Sequence, residues 1–178
     1  MEFESVVRGR KSVRNFVEKE ISQEDICKII ECANLAPSWK NSQTPRYYVI
    51  LSKDKISDFA EKCLPTFNRE NCKGAGALIV TTFIKNISGF NRDGESQNNL
   101  GNGWGCYDLG LATQNLILKA YELSYGSLIM GIRDENLIRE FLNISNEEEV
   151  VSVIALGGYN DDIKRPERKN IQSIMKII

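Results

Sequence analysis

The chain of 178 residues contains no histidine. This absence excludes Ser-His-Asp and Cys-His nucleophilic catalysis, because both use an imidazole as the general base. It also removes the commonest nitrogen ligand for metals, and none of the five cysteines lies in a C-x-x-C pair. No metal site is therefore expected, and any chemistry that the protein performs needs another agent.

Long apolar runs and blocks of one charge are also missing. No apolar run reaches the ~18 residues that a membrane-spanning helix needs, and the start, Met1 to Glu4, is acidic where a secretory signal would be basic. The net charge is −1 without a large basic or acidic block, so neither nucleic acid nor a membrane is an expected partner. We expect a cytoplasmic protein in which any anion site is local.

What the chain does contain is enough for one domain with a core. Apolar residues make up 42% and charged residues 26% of the sequence, which is ordinary for a globular protein. No repeat, low-complexity tract or linker divides it. We therefore expect a single domain over residues 1–178.

The densest group of cations lies near the N-terminus, in Arg10-Lys11-Ser12-Val13-Arg14. Arg10, Ser12 and Arg14 alternate, so an extended backbone would point their side chains the same way. Guanidinium groups bind phosphate through two parallel hydrogen bonds. The segment predicts a phosphate-sized anion site, with a solvated basic turn as the alternative.

Apolar periodicity predicts an alternation of helices and strands. The expected helices cover 3–8, 54–64, 106–123 and 133–142, with one more from a cap at Ser22 to a stop at Pro37; the expected strands cover 47–51, 77–83 and 150–156, with a short strand or turn at 127–131. The strand at 77–83 is apolar nearly throughout, which indicates burial on both faces and a central place in a sheet.

Two polar segments are candidate ligand loops. Asn41 and Gln43 are placed to donate and accept in one plane, as the edge of a heteroaromatic ring would require, although a solvated loop explains them too. Residues 86–104 are long enough to form a lid carrying Phe90 and Trp104. The alternative is that these aromatic side chains pack against the protein.

The C-terminal part combines a second basic cluster with an apolar tail. The cluster runs from Lys164 to Lys169, and residues 171–178 follow it. An apolar tail is unfavourable as a loose end in water, so we expect it to add to a sheet, either that of its own chain or that of a partner.

Four landmarks in chain order resemble the FMN-dependent nitroreductase family over essentially the full length of the chain. They are Arg10 to Phe16 (R-K-S-V-R-N-F), Ala36 to Gln43 (A-P-S-W-K-N-S-Q), Asp108 to Leu116 (D-L-G-L-A-T-Q-N-L), and the Leu156 to Tyr159 turn followed by Arg168 and Lys169. Each motif alone is weak, but their order and spacing together are specific.

The resemblance implies an α+β fold, with a mainly antiparallel central sheet flanked by helices. It further implies an intertwined homodimer with one FMN in each of two interface pockets, and residues 164–178 would form a C-terminal arm packing on the partner subunit. Two positions depart from the family: Thr44-Pro45 stands where Pro-Trp is usual, and Asn71 stands where some relatives place a lysine near the flavin O2 edge, with Lys73 nearby.

The same resemblance assigns roles to the unexplained residues. The FMN phosphate would be held by Arg10, Lys11, Ser12, Arg168 and Lys169, and Arg14 would face the pyrimidine edge or the ribityl chain. The flavin would be lined by Pro37, Ser38, Asn41 and Gln43, some from the opposite subunit, while backbone near Met130 and Gly131 would approach flavin N5. Asn68 or Asn71 would touch the pyrimidine edge. No protein residue is assigned as catalytic.

The implied activity is an FMN-dependent oxidoreductase with a ping-pong mechanism. NADH or NADPH would give a hydride to flavin N5 and leave, and a nitroaromatic, quinone or similar electron-poor acceptor would then take the electrons. Two alternatives stay open: a flavin-binding homodimer with a sensory or storage role, and a specialised flavin-dependent reductase of the same family.

Overall fold

The computed structural model describes residues 1–160 and 162–178. Its helices are α1 (Phe3–Gly9), α2 (Gln23–Asn34), α3 (Lys53–Cys63), α4 (Thr66–Asn71), α5 (Gly103–Glu122) and α6 (Glu135–Leu142). Its strands are β1 (Pro45–Ile50), β2 (Ala77–Ile84), β3 (Gly126–Met130) and β4 (Glu148–Gly157), and 3-10 turns lie at Trp39–Asn41 and Ile171–Ser173.

The four strands form one antiparallel sheet in the order β1-β2-β4-β3. Side chains of β2 alternate between two cores: Leu78 and Val80 pack with α3 and α6, whereas Ala77 and Ile79 pack with α2 and α5. The sheet therefore lies between two helical layers. This confirms the predicted α+β class and the central position of residues 77–83, while the homodimer stays a prediction because the structure describes one chain.

The ends of the helices follow local capping. Ser22 caps α2 by accepting a hydrogen bond from the Asp25 amide at 3.1 Å, as predicted. Asp134 caps α6 in the same way through the Leu137 amide, so that helix begins two residues later than Arg133.

Helix α4 is not among the helices that the apolar periodicity predicts. Thr66–Asn71 is helical, and Pro65 precedes it at the N-cap. Six residues are too few for apolar periodicity to be visible in the sequence. Asn68 is consequently buried, at 5% exposure.

The C-terminal tail does not join the sheet of its own chain. After Gly157 the described residues form no further strand, and Ile171–Ser173 is a 3-10 turn. Ile174, Met175 and Ile177 are each more than half exposed. Among the described residues, no helix has the length and apolarity to cross a membrane.

Candidate functional site

Three arginines from the two ends of the chain converge beside α1. Arg10 is the C-cap residue of α1, and burial, followed by the charges of Arg165 and Arg168, lowers the pKa of its guanidinium. Among the described residues, no carboxylate forms an ion pair with any of these three arginines. Like charges held close together favour the binding of an anion.

Arg165 is fixed in this cluster by the end of α1. Its Nη1 donates to the carbonyls of Val7 at 3.3 Å and Arg8 at 2.5 Å, which are among the last carbonyls of the helix. A cation at a helix C-terminus is favourable. Arg165 also borders, with Arg168, a surface cavity of about 730 Å³.

The segment after Arg10 lies along the outer edge of β3. Ser12 bridges Ser127 in parallel, and the Val13 amide donates to the Ser127 carbonyl at 2.9 Å. Val13 is buried, so Ser12 and Arg14 on either side of it are exposed. This contact needs Gly126, because a Cβ there would lie 2.5 Å from Val13 Cγ2.

Lys11 and Lys169 differ in how far they are buried. Lys11 is half-buried and Lys169 is exposed. Both follow residues of the arginine cluster in the chain, so the structure brings the two basic segments of the sequence to one region.

Met130 and Gly131 lie at the other end of β3. The Met130 side chain is buried in the core beneath the sheet, which leaves only its backbone for a ligand. Gly131 is exposed, and a Cβ there would meet no atom within 4 Å. The nearby Asn68 amide donates to the Ile132 carbonyl at 2.8 Å, which is a contact with protein that the sequence analysis did not anticipate.

The loop of residues 37–43 has an unusual backbone. Lys40, Asn41 and Gln43 have φ angles of 47°, 56° and 49°, in the left-handed region that costs energy for residues other than glycine. The Ser38 hydroxyl accepts a hydrogen bond from the Gln43 amide at 3.0 Å and closes the turn. Pro37, Asn41 and Gln43 are exposed, so the side-chain amides of Asn41 and Gln43 are open to a ligand.

Asp108 in α5 holds this loop in place. Its Oδ2, at 3% residue exposure, accepts from the Trp39 amide at 3.0 Å and from the Ser88 hydroxyl at 2.6 Å. Ser88 also lies 2.7 Å from the Ser42 hydroxyl and 3.4 Å from that of Thr44. A buried carboxylate with several donors is a strong anchor.

Residues 86–104 are attached to the same loop. The Trp104 ring lies 4.5 Å from the Trp39 ring, between centroids, and Lys40 Nζ donates to the side-chain oxygen of Gln97 at 3.1 Å. Trp104 belongs to the first turn of α5. This agrees with the alternative that Trp104 packs against the protein, rather than with an aromatic carried on a lid.

The structure places the predicted site residues in two groups. Ser12 and Gly131 lie at the two ends of β3, and Arg168 lies close to Arg10, just before Ser12 in the chain, whereas the loop 37–43 leads into β1 at the opposite edge. Three interstrand spacings separate β1 from β3, which is about 14 Å. In this chain the two groups are therefore attached to opposite edges of the sheet.

Two residues of the site had no role in the sequence analysis. Arg165 lay within the noted basic cluster, so the charge pattern could have suggested it. Asp108 lay within a landmark motif, but its partners Trp39 and Ser88 are distant in sequence, and no local pattern predicts that they meet.

Comparisons with known proteins show the family to which the chain is related. The sequence model described as the nitroreductase family matches residues 7–79 and 66–159. A relative from Archaeoglobus fulgidus, provisionally named an NADH dehydrogenase/NAD(P)H nitroreductase, is 32% identical over 161 residues, covering 88% of this chain and 85% of that protein. The 4-nitrobenzoate reductase of Pseudomonas putida is 26% identical over 200 residues, covering 90% and 86%.

Solved structures give the same result for the fold. A nitroreductase family protein from Clostridium novyi has a TM-score of 0.76 at 27% identity, covering 90% of this chain and 87% of that chain. A structure from Exiguobacterium sibiricum, provisionally named a nitroreductase and determined in complex with FMN, has a TM-score of 0.82 at 23% identity, covering 100% and 98%.

Replacing Asp108 tests its anchoring role. Asp108→Ala leaves the Trp39 amide and the Ser88 hydroxyl without their acceptor, so we expect a loss of about 2–3 kcal/mol in the free energy of unfolding. Asp108→Asn keeps one acceptor and should lose less. The measurement is urea denaturation, with the exposed Asp58→Ala as a control that should change little. An Asp108→Ala protein as stable as the parent would contradict the assignment.

Proposed function

Because the chain belongs to the nitroreductase family of FMN-dependent and NAD(P)H-dependent oxidoreductases, we propose that it is a homodimeric flavoenzyme that transfers a hydride from NADH or NADPH to an electron-poor small molecule. Nitroaromatics and quinones are the proposed acceptor classes. The relative named 4-nitrobenzoate reductase supports the first of them.

The observation that carries the proposal is the cluster of Arg10, Arg165 and Arg168. A phosphate monoester carries about −1.5 to −2 charges near neutral pH, and it would offset at least half of the positive charge of the three guanidinium groups. Hydrogen bonds between guanidinium and phosphate are charge-assisted and often bidentate. The residues therefore fit the phosphate of FMN, with Ser12, Lys11 and Lys169 alongside.

The ring end of the cofactor would lie further along the β3 edge. Ser127, beside Ser12, and Gly131 are four residues apart, which is about 13 Å in a strand. A phosphate at Ser12 and a ring at Gly131 therefore match an elongated cofactor with its phosphate at one end. Bound FMN supplies the redox chemistry, and the protein contributes binding, orientation and hydrogen-bond donors.

A homodimer explains the separation of the two groups of site residues. The loop with Pro37, Ser38, Asn41 and Gln43 leads into β1, and three interstrand spacings, about 14 Å, separate β1 from β3. We propose that these four residues line the flavin bound to the second copy. Each of the two sites would then use residues from both subunits. A two-fold axis makes two equivalent sites of this kind.

The C-terminal arm, residues 164–178, is proposed to pack on the partner subunit. Within the described residues β1 has a strand neighbour on one side only, whereas the outer edge of β3 is bridged by Ser12. The open edge of β1 in the second copy is the natural acceptor for the apolar tail. Pairing there would bury Ile174 and Ile177.

The first test is a visible absorption spectrum of the purified protein, before and after adding FMN and desalting. We expect flavin bands that survive desalting, bleaching on addition of NADH or NADPH, and recovery with a nitroaromatic or quinone acceptor. A protein that retains no FMN would overturn the proposal. Slow bleaching that no acceptor reverses would favour the sensory or storage role instead.

Arg10→Ala should weaken FMN binding by about 2–3 kcal/mol, because a charge-assisted pair with the phosphate is lost. The measurement is a fluorescence titration of the apoprotein with FMN. Lys62→Ala removes an exposed positive charge on α3 and serves as a charge control. Equal affinities of the Arg10 and control variants would place Arg10 outside the phosphate site.

Deleting residues 171–178 should shift the protein from dimer towards monomer or aggregate, since the arm would no longer cover the partner. Light scattering after size exclusion measures the change. The double substitution Ile174→Asp and Ile177→Asp keeps the length of the arm and should also shift the protein away from the dimer. Lys176→Ala should leave it dimeric. A truncated protein that stays dimeric would remove the arm from the interface.

A further inference from the structure

The turn that follows β3 is held by two side chains from other parts of the protein. Arg133 Nη1 donates to the Gly131 carbonyl at 2.9 Å, and its Nη2 donates to the Val150 carbonyl in β4. Asn68 of α4 donates to the next carbonyl, that of Ile132, at 2.8 Å. Two consecutive carbonyls are thus directed into the protein.

Both side chains are well placed to keep this arrangement. Asn68 is buried at 5% exposure. The Arg133 side chain is 18% exposed and lies 3.7 Å from Glu135, which offsets its charge. The planar guanidinium bridges the turn to a central strand, so it restricts the orientation of the Gly131 peptide plane.

A fixed carbonyl also fixes the amide of the same peptide. The peptide bonds are trans, so the Ile132 N–H points opposite the Gly131 carbonyl and the Arg133 N–H opposite the Ile132 carbonyl. Within the described residues, no backbone carbonyl outside the strand ladder accepts from either N–H. Without such an acceptor, both amides are directed by the peptide geometry to the side of the turn opposite the held carbonyls.

That side has room for a ligand. A Cβ at Gly131 would have no atom within 4 Å, and Ile132 is 64% exposed. Adjacent outward N–H groups form a small anion-favouring concavity. Such a pair can donate to the electron-rich edge of a heteroaromatic ring, and to any negative charge that develops there on reduction.

We infer that Arg133 and Asn68 are positioning residues that turn the Gly131 and Ile132 carbonyls inward and so direct the amides of this turn at the flavin ring. The inference rests on the proposed function, because it names what orients the backbone at the ring end of that site. Neither side chain is assigned a contact with the substrate. Arg133 acts through the backbone.

The chain provides a matched control in Arg139. This arginine also joins a turn to β4, because it donates to the carbonyls of Ser145 at 2.9 Å and Glu148 at 2.6 Å, and it pairs with the same Glu135 at 2.8 Å. Its turn precedes β4 rather than following β3. Arg133→Met and Arg139→Met therefore remove similar clamps, but only the first borders the ring site.

The experiment measures FMN affinity and the midpoint potential of the bound flavin in both variants, with the thermal midpoint of each apoprotein. We expect Arg133→Met to raise the FMN dissociation constant about tenfold, a loss of roughly one hydrogen bond to a charged group, and to make the midpoint potential more negative. Arg133→Lys can still donate to one of the two carbonyls, so its FMN dissociation constant and its midpoint potential should lie between those of the parent and those of Arg133→Met. Arg139→Met should lower the thermal midpoint but leave the FMN affinity and the midpoint potential unchanged.

The outcomes separate this inference from the proposed function. A parent protein that retains no FMN overturns the function itself. A parent that binds FMN, together with Arg133→Met and Arg133→Lys variants of unchanged affinity and potential, overturns the positioning role. If Arg133→Met does not fold, Arg133→Lys decides the question, because an unchanged potential in a folded lysine variant would also overturn it.

Discussion

The width of the sheet is the constraint on which the arrangement of the site depends. β2 and β4 are buried on both faces and hold the centre, so β1 and β3 are kept about 14 Å apart. The basic segments follow one edge, and the loop with left-handed residues leads into the other. Under the proposed function, the loop of one copy would reach the flavin held along the β3 edge of the second copy, and this arrangement is the reason that a homodimer is part of the proposal.

Charge is arranged locally within a chain that is nearly neutral overall. The net charge of −1 gives no sign of an anion site, because the cations that matter come from two distant segments. Helix α1 brings them together: it ends at Arg10, and its last carbonyls hold Arg165. The energetic cost of placing guanidinium groups side by side is offset when a dianion binds, so binding and local order are coupled.

Long helices and strands with a clear apolar period, and the order of the family motifs, could be predicted from the sequence. The helix at 106–123 and the strand at 77–83 carry enough apolar residues to define their period, and both are present with boundaries shifted by a few residues. α4 was missed because a single short helix is stabilised by tertiary packing rather than by propensity. The Asp108 network, the Asn68 contact with Ile132 and the Arg133 contact with Val150 join positions far apart in the chain, so sequence spacing could not predict them.

The lack of histidine gives these backbone contacts their importance. Lys73 pairs with Glu70 at 2.7 Å on the exposed side of the chain, and Asn71 replaces the lysine that some relatives place near the flavin O2 edge. Under the proposed function, Arg14 is then the one side-chain cation that the sequence analysis assigns to the ring region. Neutral N–H donors must supply the remaining stabilisation of a reduced, anionic ring, and a donor is useful only when its direction is fixed beforehand. Under that proposal no side chain of the protein acts as the catalyst, so the residues that fix the backbone would be the ones through which the sequence tunes the cofactor.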